Sequence, residues 1–388
     1  MEALFFTAMP MFVCLFWSIL LAFELRTDGR NRPRLHLFVF MLTATVLYFG
    51  HFVFFNRDTA LVPVTDTLYC VANLAVYPLY YLYICSLSVR QYSFRRHWFI
   101  LLPALCGGMV VGTLYVLMSP DEIGHFVNQY LYCGNREKLV GLVALQAYVH
   151  DICKVVFALL IIPVLVYGRI HIKEYDQQVK NAYADDDNKT LAIIHQMLSA
   201  FIIISVLSFA ANIIGRHQFT SSCWLLAIPS TLFSIVLFMI GYIGYKQEFS
   251  IGDIEQDEQL ADQSLSDSPN ISKLHSRIEQ LMEEEELFRR PNIKIADLVS
   301  LLNTNRNYIY QAINREMGIS FCEYINQKRI NYAALLIAQH PEMYLSEVAE
   351  QSGFSNNTSF YRNFKLYKGV GPKEFQCGLR NGTVSKSE

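Results

Sequence analysis

Two stretches near the C-terminus place amide, hydroxyl and basic side chains on what would be one face of a helix. The first face, with positions three and four residues apart, comprises Arg306, Asn307, Tyr310, Gln311 and Asn314. The second comprises Asn357, Thr358, Tyr361, Arg362 and Lys365. Amide and guanidinium groups can make paired hydrogen bonds to base edges in the major groove, and basic groups pair with phosphates. Both faces predict contacts with double-stranded DNA; a solvated helix face is the weaker alternative.

The first polar face has an apolar scaffold. Residues 295–302 predict a short helix, and residues 303–305 predict a polar turn that can cap the next helix. Residues 306–317 predict that next helix, which ends at Gly318. Ile309, Ala312 and Ile313 of this helix lie on the inward side, so the polar face points outward. This arrangement is typical of a helix-turn-helix unit.

The same arrangement recurs further along the chain. Residues 345–349 predict a short helix, residues 352–354 a turn, and residues 356–367 a second outer helix. Between the two units, the apolar spacing of residues 321–339 predicts one long helix. A rigid helix of that length would hold the two outer helices about one duplex turn apart, ~34 Å, on one side of the DNA.

The motifs in this region match a known pattern in spacing and residue type. They are Gly318-Ile-Ser-Phe321, Arg329 with Ala333 and Leu336, Ala349 with Gly353-Phe354, Ser359-Phe360 with Arg362, Phe364-Lys365, and Gly371-Pro372. Over about the last hundred residues the chain thus resembles the C-terminal DNA-binding domain of AraC/XylS-type transcription regulators. The resemblance implies the following DNA contacts: Arg306, Asn307, Tyr310, Gln311, Asn357, Thr358 and Arg362. Gln311 stands where the family often has Arg, so the base read there is not predicted.

Charge is distributed unevenly along the 388 residues, of which 53% are hydrophobic and 17% charged. Residues 287–380 hold 12 basic and 7 acidic side chains, whereas residues 247–286 hold 2 basic and 12 acidic ones. The small net charge of −2 is therefore an average over segments of opposite sign, which include a basic C-terminal domain and an acidic connector before it. A local basic excess suits contact with phosphates.

Seven apolar stretches are long enough, or nearly so, to span a bilayer, which takes about 20 helical residues. They lie at 3–23, 35–55, 66–88, 97–118, 145–167, 191–214 and 223–245. The first lacks a basic leader and an obvious cleavage site, so we expect it to be retained rather than removed as a signal peptide.

Basic residues in the loops predict the orientation. The first, third and fifth loops and the position after the last span carry 12 Lys and Arg residues, against 4 in the second, fourth and sixth loops. The richer side is expected to be cytoplasmic. The N-terminus would then lie outside the inner membrane, and the DNA-binding domain would lie in the cytoplasm.

Polar side chains within the spans cluster in the outer half under this topology. They include His51, Asp66, Asn73, His150, Asp151, Lys154 and Asn212. Ionisable groups inside membrane helices are costly and often functional, so one interpretation is a pocket, open to the outside, for a small-molecule ligand. The other is that several lie at the headgroup boundary and that Asp151 and Lys154 form a structural pair.

The remaining features indicate no enzyme and no cofactor. The sequence has no Gly-rich phosphate loop, no Ser/His/Asp set and no metal-type spacing of Cys and His, and the last span lacks a Lys for retinal. Cys133 and Cys223, with Cys70 as a third candidate, are the cysteines that could form a disulfide outside the cell.

Three connecting segments have simple interpretations. Residues 168–190, which contain three consecutive Asp residues, predict a solvated inner loop, with contact to the DNA-binding domain as an alternative. Residues 247–270 predict an acidic flexible linker. The apolar stripe of residues 271–281 predicts the first helix of the C-terminal domain, in preference to a coiled coil that pairs two chains.

The predicted fold class is all-α. Residues 1–246 form a seven-helix transmembrane bundle, residues 271–380 form a domain with two helix-turn-helix motifs, and residues 381–388 are a disordered tail. The predicted function is a membrane-embedded one-component transcription regulator, with promoter DNA, the lipid bilayer, a ligand and a second copy of the chain as partners. A transporter or membrane enzyme with a regulatory tail, and a protein-interaction module, stay open as alternatives.

Overall fold

A computed structural model describes the chain, apart from several segments. The described residues are 2–27, 32–137, 139–185, 191, 194, 196, 198–200, 206, 223–247, 250–255 and 271–380, with backbone alone at 2–4, 27, 223–226, 307, 315 and 316. Most of these residues lie in helices, and an isolated antiparallel bridge pairs Tyr183 with Lys294. The all-α prediction is confirmed. The chain divides into two compact units, one of Met1–Lys173 with Leu191–Ser250 and one of Glu174–Thr190 with Ile251–Glu388.

The first unit is built from long apolar helices. They are α1 (Glu2–Thr27), α2 (Arg32–Phe55), α3 (Val62–Ser88), α4 (Leu102–Leu117), the short α5 (Pro120–His125), α6 (Gly141–Ala182) and α7 (Cys223–Lys246). Short helical turns over Phe94–Leu101 precede α4, and a π-helical segment, Phe126–Tyr132, follows α5. In the part of the chain that the structure describes, six helices are long and apolar enough to cross a membrane. They correspond to six of the seven predicted spans, and most of the seventh, at 191–214, lies outside the described residues.

Helix α3 is the most buried of these helices, and glycines let its neighbours approach it closely. A Cβ atom at Gly50 of α2 would lie 2.9 Å from the Tyr69 Cβ, and one at Gly108 of α4 would lie 2.0 Å from a Val71 methyl group. Small residues at such contacts are common where helices pack in membranes. In contrast, α4 exposes large apolar side chains, among them Met109 and Val116. Outward apolar side chains are what a lipid-facing helix requires.

The second unit contains the two predicted helix-turn-helix units. Its helices are α8 (Ile271–Glu284), α9 (Ile295–Leu302), α10 (Arg306–Met317), α11 (Phe321–Gln339), α12 (Leu345–Gln351), α13 (Asn357–Lys368) and α14 (Pro372–Arg380). The observed bounds of α9, α10 and α11 equal the predicted ones, and α13 is shifted by one residue. A 3₁₀ turn, Leu287–Arg289, lies between α8 and α9.

Each helix-turn-helix unit has its own apolar core. The first core is formed by α8, α9, α10 and the start of α11, and it includes Leu274, Ile278 and Met282 of α8. The stripe of α8 therefore packs within the domain, as preferred from the sequence. The second core is formed by the rest of α11 with α12, α13 and α14. On α11, Leu335 is 59% exposed, whereas the adjacent Leu336 is buried.

Side-chain caps set the start of two helices of the second unit. The Ser320 hydroxyl and the Glu323 carboxylate form a reciprocal capping box at the start of α11. The Asn356 carboxamide oxygen accepts a 2.8 Å hydrogen bond from the Ser359 amide and caps α13. Gly353, in the turn before α13, has φ +85°, and a Cβ there would lie 2.6 Å from the Arg289 carbonyl oxygen. Only glycine satisfies both constraints at that turn.

The segment after the fifth candidate span differs from the sequence expectation. Residues 168–182 are the helical end of α6 instead of a loop, and α6 is 42 residues long. Asp185, expected in a solvated turn, is 4% exposed. Residues 174–185 group with the second unit, although the sequence alone had assigned them to the membrane domain.

Candidate functional sites

The outer face of α10 carries part of the first predicted DNA-binding set. Tyr310 is 37% exposed, and Arg306, Gln311 and Asn314 are half-buried. The Asn314 amide donates a 3.3 Å hydrogen bond to the Ile319 carbonyl oxygen, so it also closes the end of α10. The side chain of Asn307 lies outside the described residues. Among the described side chains of this face, Tyr310 is the most exposed.

The outer face of α13 is more open. All five predicted residues are exposed: Asn357, Thr358, Tyr361, Arg362 and Lys365. On the opposite side Phe360 and Phe364 are fully buried in the second core. A packed helix with one polar, partly basic face has the shape and chemistry to enter a major groove.

A buried arginine joins the two helix-turn-helix units. Arg329, in the middle of α11, has no exposed surface. Its Nε donates to the Phe288 carbonyl oxygen at 2.8 Å, and its Nη2 donates to the Arg290 carbonyl oxygen at 3.0 Å. Its guanidinium also lies 5.5 Å from the centre of the Phe354 ring, in the turn of the second unit. Arg329 thus connects α11 to the segment around the 3₁₀ turn and to the turn that precedes α13.

The remaining Arg329 bond goes to residues 183–185, which we call the clasp. The Arg329 Nη1 lies 2.9 Å from Asp185 Oδ1, and both side chains are almost fully buried. Asp185 Oδ2 accepts a 2.9 Å hydrogen bond from the backbone N–H of Asn292. Burial lowers the pKa of Arg329, and the opposite charge of Asp185 counteracts that shift. The ion pair therefore keeps a charged group inside the domain.

Backbone bonds hold the rest of the clasp. The Ala184 amide donates to the Ile293 carbonyl oxygen at 3.1 Å. The Ala184 carbonyl oxygen accepts from the Cys322 thiol at 3.0 Å and from the Asn326 amide at 3.3 Å. Ala184 is part of the first apolar core. The backbone N–H and C=O groups of Ala184 therefore both have hydrogen-bond partners inside the second unit.

In the first unit, two of the predicted polar residues meet. His150 Nε2 of α6 lies 2.7 Å from Asp66 Oδ2 of α3. The same carboxylate oxygen accepts a 2.8 Å hydrogen bond from the Tyr115 hydroxyl. Cys70 joins them, since ligand atoms of Asp66, Cys70 and His150 all lie within 4.8 Å of one another. The sequence analysis had not grouped Cys70 or Tyr115 with this site.

A second polar group surrounds Asp151. Its carboxylate lies 3.2 Å from Lys154 Nζ and 2.9 Å from Arg136 Nη2, and it accepts a 2.7 Å hydrogen bond from the Tyr130 hydroxyl. The pairing of Asp151 with Lys154 supports the structural interpretation that the sequence left open. Its partners Tyr130 and Arg136 were not among the predicted site residues.

Of the other predicted ligand-binding residues, the structure describes His51 and Asn73. The His51 ring packs edge-on against Tyr69 with ring centres 5.0 Å apart, and Asn73 is half-buried. Asn212 lies outside the described residues. Cys133 is a free, exposed thiol, and the side chain of Cys223 is not among those described.

Comparisons with known proteins bear on the second unit. The model of a family described as "Helix-turn-helix domain" matches residues 298–377. The Msm operon regulatory protein of Streptococcus mutans is 29% identical over 90 residues, which is 23% of this chain and 32% of that protein. The probable transcriptional regulator LumQ of Photobacterium leiognathi is 28% identical over 127 residues, 33% of this chain and 48% of that protein.

A third relative, the uncharacterized HTH-type transcriptional regulator YtdP of Bacillus subtilis, is 29% identical over 111 residues, 29% of this chain and 13% of that protein. The chain thus spans less than half the length of these relatives. No solved structure matches the chain significantly. The family and the relatives' names indicate a transcriptional regulator rather than an enzyme. The matched segment contains α10, α11 and α13 with their polar faces, and it is a helix-turn-helix domain of the AraC type.

Proposed function

We propose that this protein is a membrane-embedded transcription regulator in which the first unit senses a signal and the second unit binds a promoter. One observation carries the proposal: the AraC-type domain contains, within its own core, the segment that follows the fifth candidate span in the chain. The clasp begins at Tyr183, directly after α6 ends at Ala182. The clasp is covalently continuous with α6, and its Asp185 pairs with the buried Arg329 of the DNA-binding domain, so a movement of α6 has a route to that domain.

The proposed orientation follows from the basic loops. The cytoplasmic face would carry the richer set of Lys and Arg residues, and the DNA-binding domain would share the compartment of the chromosome. A reporter enzyme fused after Glu388 tests this. An enzyme that is active only in the cytoplasm is expected to be active at this position. Activity there of an enzyme that functions only in the periplasm would contradict the proposal.

DNA recognition is assigned to the outer faces of α10 and α13. Crosslinking of the full-length protein to genomic DNA in living cells should enrich a small set of promoters that share one sequence. Arg362→Ala should weaken binding to such a site by ~1–3 kcal/mol if the guanidinium reads a base, with little effect on unrelated DNA. Lys373→Ala, on the exposed side of α14, is the matched control and should leave the preference for that site unchanged.

Loss of the ion pair between the clasp and Arg329 is expected to weaken promoter binding by the intact protein. Asp185→Asn should weaken promoter binding, because Arg329 supports the turn that precedes α13. The amount of protein in the membrane should not change, since Asp185 lies outside the candidate spans. Anisotropy with labelled promoter DNA and protein in lipid nanodiscs measures the first effect, and immunoblotting of membranes measures the second. Unchanged promoter affinity would remove the clasp as the route of control.

A second copy of the chain is part of the proposal. If two copies are held together in the membrane, binding of one DNA-binding domain raises the effective concentration of the other at a neighbouring half-site. The pair would then bind promoter DNA more tightly without any new contact. Crosslinking between differently tagged copies, with and without promoter DNA, tests it. A protein that binds its promoter as a monomer at all concentrations would refute pairing.

A further inference from the structure

The first unit holds a compact set of metal-type ligands inside its helices. Asp66 and Cys70 lie one turn apart on α3, and His150 faces them from α6. All three are buried, with exposed fractions of 7%, 4% and 4%. Carboxylate, thiolate and imidazole are the three ligand types that proteins use for Zn²⁺. We infer that Asp66, Cys70 and His150 form a binding site for a zinc-like divalent cation.

The hydrogen bonds around His150 select the nitrogen that a metal would use. His150 Nδ1 lies 2.8 Å from the Gln146 carbonyl oxygen. A carbonyl oxygen only accepts, so Nδ1 carries the hydrogen atom and Nε2 faces Asp66 and Cys70. Histidine metal ligands are commonly oriented by such a bond to the second ring nitrogen. The 2.7 Å distance from Nε2 to Asp66 Oδ2 requires a proton between them, and a cation would take the place of that proton.

Charge favours a dication over other occupants. A carboxylate and a thiolate together carry two negative charges, and a neutral imidazole adds none. A divalent cation would therefore leave the buried site neutral, whereas uncompensated charge within an apolar bundle is costly. The thiolate and imidazole favour a borderline-soft ion such as Zn²⁺ over Mg²⁺ or Ca²⁺, which prefer oxygen ligands.

The surroundings supply the outer contacts that metal sites need. The Tyr115 hydroxyl orients the Asp66 carboxylate through its 2.8 Å hydrogen bond. Gln146 has no exposed surface, and its Oε1 has no hydrogen-bond partner among the residues that the structure describes. Its side chain lies next to the Tyr115 phenol. A water molecule bound to the cation could donate to this buried oxygen, which is otherwise unpaired at a cost of ~1–3 kcal/mol.

Small movements would complete the coordination. Metal distances of about 2.0–2.3 Å place tetrahedral ligand atoms roughly 3.3–3.7 Å apart. The N–O distance must therefore lengthen by about half an ångström from the hydrogen-bonded value, while the more distant atoms draw together. Such a shift between α3 and α6 would let metal occupancy act on α6, the helix that leads to the clasp. That last step rests on the proposed function; metal binding itself does not.

The test uses the full-length protein in nanodiscs, stripped with a chelator and then titrated with Zn²⁺. About one Zn²⁺ per chain is expected after gel filtration, measured by elemental analysis. Cys70→Ser should lower the affinity at least about 100-fold, and Tyr115→Phe about 10-fold or more. Cys85→Ser, at another buried cysteine of α3, is the matched control and should retain the metal. Equal retention by the Cys70 and Cys85 variants, or no retained Zn²⁺, would overturn the site.

A spectroscopic measurement on the unmodified protein guards against variants that misfold. Co²⁺ bound in place of Zn²⁺ should produce a sulfur-to-cobalt charge-transfer band, which Zn²⁺ then abolishes. Absence of the band at saturating Co²⁺ would also overturn the site. Promoter affinity is measured separately with and without Zn²⁺. A metal-binding protein that binds no promoter would refute the proposed function and leave the site intact.

Discussion

Replacing Asp185 by Asn tests how far a short segment supports the DNA-binding domain. In the folded protein, Oδ1 of Asp185 accepts from Arg329 and Oδ2 accepts from the Asn292 amide. An Asn side chain has one oxygen and one NH₂ group. Its oxygen can accept from only one of the two donors, Arg329 or the Asn292 backbone N–H. Its NH₂ group, itself a donor, then faces the remaining donor. The buried guanidinium also loses its counter-charge.

The magnitude follows from the two consequences. Removing one partner of a buried ion pair typically costs 3–5 kcal/mol. Arg329 keeps its bonds to the Phe288 and Arg290 carbonyl oxygens, which places Asp185→Asn near the lower end, about 3 kcal/mol. That is a large fraction of the 5–15 kcal/mol by which domains are ordinarily stable. Asp185→Ala, which removes both acceptors, should cost more.

Hydrogen exchange of the full-length protein in nanodiscs measures the loss. Amides in the middle of α11 should exchange about 100-fold faster in Asp185→Asn, because a tenfold change corresponds to about 1.4 kcal/mol. Glu342→Gln is the matched control: Glu342 lies 3.7 Å from His340 in an exposed pair, and its loss should leave exchange unchanged. Protection of α11 that stays within about threefold of the native value in Asp185→Asn would refute the reasoning.

Three further outcomes are expected. Gly353→Ala should lower the free energy of unfolding of the second unit by ~1–3 kcal/mol in chemical denaturation. The reason is that φ is positive at this position and the new methyl group would meet the Arg289 carbonyl oxygen. A variant as stable as the native protein would contradict this. The backbone amide and then the hydroxyl of Ser320 lower the pKa of Glu323 below 4.5, so the capping box should stabilise fully above pH 4.5 and lose its effect as the pH falls through the lowered pKa. Glu323→Gln, which has no ionisable group, should remove that pH dependence when stability is measured from pH 7 to pH 3, whereas Ser320→Ala keeps the backbone amide and should remove only the smaller part. Lys365→Ala should weaken binding to all DNA sequences alike and reduce the salt dependence of the affinity by about one unit of slope; a loss confined to one sequence would assign Lys365 to base reading instead.

The helices of the DNA-binding domain were predictable because their signals are local. Apolar residues three and four positions apart, the caps at Ser320 and Asn356, and Gly318 at the end of α10 act within one or two turns. The polar faces of α10 and α13 follow from the same spacing, since a packed helix leaves its other side outward. The apolar spans were predictable for a similar reason, because their length and composition show in a single window of sequence.

Only the tertiary structure brought Asp185 to Arg329 and His150 to Asp66. These partners are 144 and 84 residues apart in the chain, and no local pattern connects them. From the sequence, Asp185 belongs to a run of three acidic residues, which ordinarily remains in solvent, and Cys70 is one of several small apolar residues in a span. Burial changes the chemistry of both, because a charge or ligand removed from water needs a specific partner, and the fold alone decides which residue that is.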